Sequence, residues 1–161
     1  MSDIETKLQS KFQHSDIEWR IQSSGENPKG IWAIIVPYIT NRAIMQRLDN
    51  IFGVFGWRNE FKEWQGNSQI CGISIKSGAE WITKWDGADN TKIEATKGGL
   101  SDSMKRCAVQ WGIGRYLYKS KRTFALITDN GIHNSKIKIK GTDKWIKWSP
   151  PTEILFEEGG E

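Results

Sequence analysis

The sequence predicts an α+β protein: an antiparallel β-meander packed on a long basic helix (a β-β-β-α core), with an N-terminal hairpin and a C-terminal basic hairpin. Three observations predict it. Between Ile93 and Leu117, Leu100, Met104, Cys107, Ala108 and Trp111 recur at i, i+4, i+7, i+8 and i+11, one apolar stripe of a helix. Between Trp57 and Asp86 three short segments are separated by Gly66-Asn67 and Ser77-Gly78, the composition of hairpin turns. Lys136-Ile137-Lys138-Ile139-Lys140 alternates cleanly, which places lysines on one face of a strand and isoleucines on the other.

Taken in order, residues 2–13 read as a short polar helix. Ser2 caps it and Glu5 completes a capping box. Ile4 and Leu8 are its only strong apolar positions before Phe12, so it needs a partner surface, such as a neighbouring subunit. Asp16–Gln22 alternates as a strand. Ser23 to Gly30 has loop composition, and Ile31–Val36 is a dense apolar strand; together they form a hairpin. Thr40 or Asn41 caps a helix running to Phe52, with Ile44, Leu48 and Ile51 on its buried stripe and Gly53 as its stop.

The meander follows as Trp57–Gln65, Gln69–Lys76 and Glu80–Asp86. Residues 86–90 lead into the long helix, which Gly112 and Gly114 end. Lys119 to Arg122 is a basic connector and Phe124–Thr128 a strand. Asp129-Asn130-Gly131 is a turn, and Gly141-Thr142-Asp143 turns the chain into Lys144–Trp148. The last hairpin reads either as a basic binding surface or as a sheet edge guarded by lysines. Pro150-Pro151 ends the structured part, and the acidic end reads as a frayed tail.

Charge is unevenly spread. Residues 1–91 carry 10 Lys and Arg against 11 Asp and Glu; residues 92–147 carry 13 against 4; the last fourteen residues carry four Glu and no base. A basic block between a neutral half and an acidic tail suits a polyanion partner. Lys97, Ser101 and Lys105 lie along one line of the long helix, with Arg106 one step round. Nine tryptophans in 161 residues exceed what one small core accommodates, so some are expected at subunit interfaces or stacked on a ligand.

Several function classes find no support. Mean hydropathy is −0.56 and no apolar run approaches the roughly 18 residues of a membrane helix. The first twelve residues hold no signal-peptide core, so a cytoplasmic location is expected. Cys71 and Cys107 with His14 and His133 give no zinc spacing and read as buried thiols. There is no P-loop, G-x-S-x-G, H-E-x-x-H or dinucleotide fingerprint. No cofactor, metal or enzymatic turnover is expected. Asp86, Asp89 and Glu94 are the nearest approach to a magnesium-dependent nuclease site.

Two segments together resemble a known family. Pro37–Trp57, PYITNRAIMQRLDNIFGVFGW, ends in FG-x-x-GW; Lys84–Tyr118 reads KWDGADNTKIEATKGGLSDSMKRCAVQWGIGRYLY. With three strands between them, they resemble the Rad-fifty-two/Rad-twenty-two single-strand annealing proteins, in particular the short bacteriophage Sak-type members. The resemblance covers about residues 19–118. It implies rings or helical oligomers, single-stranded DNA in a basic groove, and annealing without ATP. The groove positions it carries over are Lys105 and Arg106, with Lys97 upstream on the same helix and Arg42 as the nearest match, offset by one, to a further arginine. Eukaryotic members carry another arginine where this chain has Val109; Arg115 and Lys119 are candidates to compensate. Residues 1–150 would form the annealing domain and 151–161 a short acidic tail. A single-strand-binding protein is a possible further partner, and a phage-encoded chain would act in the cytoplasm of its bacterial host. The alternative reading is a single-stranded nucleic-acid coating module that does not anneal.

Overall fold

Backbone pairing in this chain extends beyond the boundaries that local composition suggests. The computed structural model describes residues 1–89 and 95–158, with backbone alone for residues 95–98. It is α+β, with three α-helices and three three-stranded antiparallel sheets among the described residues. The residues group into two compact units, Met1–Ile17 with Ile39–Tyr116, and Glu18–Tyr38 with Leu117–Glu161.

The first unit opens with α1 (Asp3–Gln9). Its capping box forms as the sequence predicts: Glu5 N–H donates to Ser2 Oγ, and Ser2 N–H to Glu5 Oε2. The partner surface that α1 needs is in its own chain. Leu8 is buried, and Arg47 of α2 (Asn41–Phe52) donates to the carbonyls of Lys7, Leu8 and Ser10 at 2.9–3.1 Å. The same guanidinium lies 3.8 Å from the centre of the Phe12 ring. Thr40 is the cap of α2, its hydroxyl accepting from Ala43 N–H.

Strands β3 (Trp57–Trp64), β4 (Ser68–Ser77) and β5 (Glu80–Asp89) form the meander. Strand β5 runs three residues past its expected end, pairing Ser68 with Asp89. The register aligns Phe61, Cys71 and Asp86, then Asn59, Ile73 and Lys84, on one face. That face lies against α3 (Ala95–Gln110). Met104, Cys107 and Ala108 are buried from the helix side, Cys71, Ile73 and Ile75 from the sheet side. Full burial of each large apolar side chain is worth about 1.5–3 kcal/mol. The two cysteines are free thiols. Their mutual hydrogen bond and burial hold Cys71 neutral, and Cys107 Sγ donates to Lys84 O. Helix α3 ends in a Schellman motif: Gly112, at φ +90°, donates to Val109 O, and Ile113 N–H to Ala108 O.

The second unit holds β1 (Ile17–Asn27) and β2 (Gly30–Ile39), apart from Ile17 and Ile39, which belong to the first, and pairs them with β6 (Thr123–Phe124) in one sheet. Strands β7 (Leu126–Ile127), β9 (Thr142–Ser149) and β8 (His133–Ile139) form the other. Its core is Ala33, Ile35, Ile137, Ile139, Ile146 and Trp148. Two expectations are corrected here. The Phe124–Thr128 strand is split at Ala125: Thr123 and Phe124 pair with β2, whereas Leu126 and Ile127 pair with β9. The tail is not frayed at residues 155–157. Lys121 N–H donates to Leu155 O and Glu157 N–H to Lys119 O, so the tail completes a ladder that the connector would otherwise leave open.

Candidate nucleic-acid interface

The neighbouring bases Lys105 and Arg106 leave α3 in different directions. Lys105 is buried; its ammonium donates to Ile39 O at 2.8 Å and Asn41 Oδ1 at 3.1 Å. Asn41 in turn donates to the Ser101 hydroxyl and carbonyl. A charged lysine thus ties the end of β2 and the start of α2 to α3. Arg106 is more than half exposed, and its Nε lies 3.3 Å from Asp86 Oδ1.

Asp86 fixes that guanidinium. Burial alone would raise its carboxyl, but hydrogen bonds from Gln110 Nε2 and Gly87 N–H, with the charge of Arg106, outweigh burial and hold it below the usual aspartate range. Both Asp86 oxygens therefore accept from groups within the fold. Of the other acids considered for a metal, Asp89 accepts from the Ser68 hydroxyl and Glu94 lies outside the described residues.

Gln110 is the hub of a cationic cluster. Its carbonyl, near the negative end of the α3 dipole, accepts from Lys84 Nζ and from Arg115 Nη2, each at 3.1 Å. Arg115 also donates to Val109 O. Lys84 Nζ sits 4.8 Å from the centre of the Trp111 ring, and Trp111 Nε1 donates to Ile73 O. Lys84 and Arg115 thereby converge on Gln110, whose side chain donates to the Asp86 carboxylate that pairs with Arg106. Their side chains are exposed and their positions set by the fold, an arrangement suited to polyanion contact.

Arg42 is exposed in the first turn of α2, one residue after the Asn41 that Lys105 holds. Lys97 lies in the first turn of α3, where its side chain is outside the described residues. Lys119 is exposed but belongs to the second unit. The structure therefore places Lys105 and Arg106 on α3, Arg42 at the start of α2 and Arg115 in the 3-10 turn that follows α3, with Lys119 in the second unit.

A family model described as Rad52/22 family double-strand break repair protein matches residues 1–135. The chain belongs to this family. Among curated relatives, the "Single-stranded DNA-binding protein DdrA" of Deinococcus radiodurans is 30% identical over 127 residues, covering 78% of this chain and 59% of its own length. The protein of the same name from Deinococcus deserti is 28% identical over 126 residues, covering 73% of this chain and 58% of its own. This Rad52/22 family member thus spans less than two thirds of the length of either relative.

Two features of the unit escaped sequence reasoning. The β4–β5 register, which local sequence does not set, places Lys84 under the end of α3. On the sheet face away from α3, Arg58 lies over the Trp81 ring at 4.5 Å and Lys62 over Trp85 at 4.7 Å. Trp85 in turn covers Gly72, where a Cβ would come within 2.8 Å of the indole. The two indoles lie on β5 and their cationic neighbours on β3, a juxtaposition that sheet register rather than local sequence sets.

Proposed function

We propose that this chain is a single-strand annealing protein. It binds single-stranded DNA through the basic surface of α3 and promotes pairing of complementary strands without a nucleotide cofactor, as part of a ring or helical oligomer. One observation carries the reading: in a Rad52/22 family member, Arg106, an exposed arginine on the helix that follows the meander, is held by Asp86, and Asp86 accepts from Gln110, on whose carbonyl Lys84 of β5 and Arg115 beyond α3 meet. The relatives' description as single-stranded DNA-binding proteins supports the choice of ligand.

In this reading the β-β-β-α element is the annealing core, and residues 1–150 act as one functional domain. Arg106, Lys84 and Arg115 contact phosphates, with Arg42 and Lys97 extending the track. Lys105 supports it from within by fixing the start of α2. Cations on a rigid helix neutralise phosphates and release counterions. Such contacts carry no sequence information, so base pairing supplies the specificity. Neutralisation also removes much of the repulsion between two approaching strands. Repetition of the helix around an oligomer makes the track continuous.

The test is annealing of two dye-labelled complementary oligonucleotides with no nucleotide added, for the wild type and Arg106→Ala. Acceleration by the wild type that is lost in a folded Arg106→Ala chain is the expected result. Wild-type rates in that variant overturn the site. Single-strand binding without acceleration by the wild type leaves a coating module in place of an annealing protein.

A further inference from the structure

The second unit carries a basic surface that the reading above does not use. Strands β8 and β9 are joined by Lys140-Gly141, with φ of 50° and 79°, the two positive values of a type I′ turn. The resulting register pairs Lys136 with Trp145, Lys138 with Asp143 and Asn134 with Lys147. Burial alternates without a break along β8 and through the second half of β9. Ile137, Ile139, Ile146 and Trp148 face the core, whereas Asn134, Lys136, Lys138, Trp145 and Lys147 face solvent.

Trp145 stands in the middle of this cationic face and is 68% exposed. Lys136 lies directly across from it, Lys138 diagonally across, and Lys147 two residues further along its own strand. The acid on this face, Asp143, is 3.6 Å from Lys136. Trp148, the other indole of the strand, is unavailable: it is buried with its Nε1 on Ser135 Oγ.

Protection of a sheet edge explains part of this pattern but not all of it. Lys136 and Lys138 lie on β8, which is an edge strand, where lysines block further pairing. Lys147 lies on β9 between two partners, across from Asn134 and with its carbonyl accepting from Thr128 N–H. An exposed indole does nothing to guard an edge. Lys140 is the one described non-glycine residue with positive φ, at a position where Asn or Gly is favoured; the hairpin carries a cation at its tip despite that preference.

We propose that the outward face of the β8–β9 hairpin is a second single-stranded DNA contact, in which Trp145 stacks on a base and Lys136, Lys138 and Lys147 meet the flanking phosphates. Aromatic stacking between basic side chains is how single strands are held without sequence preference. The face is complementary in charge to the strand, and its residues from 136 onward lie beyond the segment matched by the family model. The inference rests on the single-strand-binding part of the proposed function, but on different residues.

The test uses the full chain and a dye-labelled dT oligonucleotide, with binding followed by anisotropy at several salt concentrations. Trp145→Ala is expected to weaken binding on the order of ten-fold with an unchanged salt slope. Lys138→Ala with Lys147→Ala is expected to reduce the log–log slope by about 1.4, from about 0.7 per phosphate on a single strand. All substituted side chains are exposed, so melting temperatures should match the wild type. Hairpin variants that bind dT as the wild type does, while Arg106→Ala loses binding, overturn this inference and leave the α3 site standing. Loss in the hairpin variants with retention in Arg106→Ala supports the hairpin and removes the α3 site. A wild-type chain that does not bind dT overturns both. If polyglutamate binds and depends on the lysines while Trp145→Ala leaves dT affinity unchanged, the face serves an acidic protein partner and the inference fails.

Discussion

Two adjacent side chains illustrate how position decides the work of a charge. Lys105 and Arg106 both carry a cation on α3, but only Arg106 presents its charge to solvent. Replacing Lys105 with alanine leaves Ile39 O and Asn41 Oδ1 without their ammonium donor in a buried site, a loss of about 1–3 kcal/mol. Arg106→Ala removes a partly exposed ion pair worth about 0–1 kcal/mol. Urea midpoints of the two variants should therefore rank in that order, and the reverse order would refute the supporting role of Lys105. Asp86 gives a second residue-scale outcome. Its carboxyl is depressed in the folded chain, so its contribution is complete above the unfolded aspartate value of about 3.9 and is lost as pH falls through the folded value. Below about pH 4 the wild type should lose stability more steeply than Asp86→Asn. Parallel acid titrations of the two chains would contradict the hydrogen-bonded role of the carboxylate.

Element boundaries were legible wherever local chemistry sets them. The Ser2–Glu5 capping box, the Thr40 cap and the Gly53 stop all follow from a few neighbouring residues. Boundaries set by distant pairing were not. Strands β1 and β5 continue through residues of turn-like composition because a partner strand lies alongside, and the tail pairs with a connector more than thirty residues upstream. The docking of α1 belongs to the same class. Nothing in MSDIETKLQSKF identifies Arg47 as its anchor, yet three carbonyls at the end of α1 accept from that one guanidinium. Burial lowers the Arg47 pKa from its ordinary value, while the carbonyls and the Phe12 ring oblige the cation. Arg47→Ala should destabilise the first unit by on the order of 2 kcal/mol, since hydrogen bonds to charged groups are worth about 1.5–3. It should also open the segment before residue 13 to protease before the rest of the chain. Cleavage there at the wild-type rate would show that Leu8 packing and the Phe12 N–H bond to the Tyr116 hydroxyl hold the segment without Arg47.

At the scale of the whole chain, the sequence showed where positive charge concentrates but not which charges are free to act. The block from 92 to 147 contains a buried lysine on α3, arginines that cap or pair, and a row of lysines on a solvent-facing hairpin. Counting them equally would overstate the electrostatic footprint, because a cation already satisfied by buried carbonyls releases no counterion from DNA. Salt dependence separates the two kinds. For single strands each neutralised phosphate contributes about 0.7 to the slope of log affinity against log salt. Arg106→Ala should reduce the slope by about 0.7 and lower affinity at every salt concentration. Lys105→Met, which keeps the aliphatic stem and removes the ammonium, should leave the slope of the folded chain unchanged and lower the melting temperature instead. Equal slope losses in the two variants would mean that Lys105 leaves its carbonyl partners to meet DNA, making the start of α2 part of the binding surface itself.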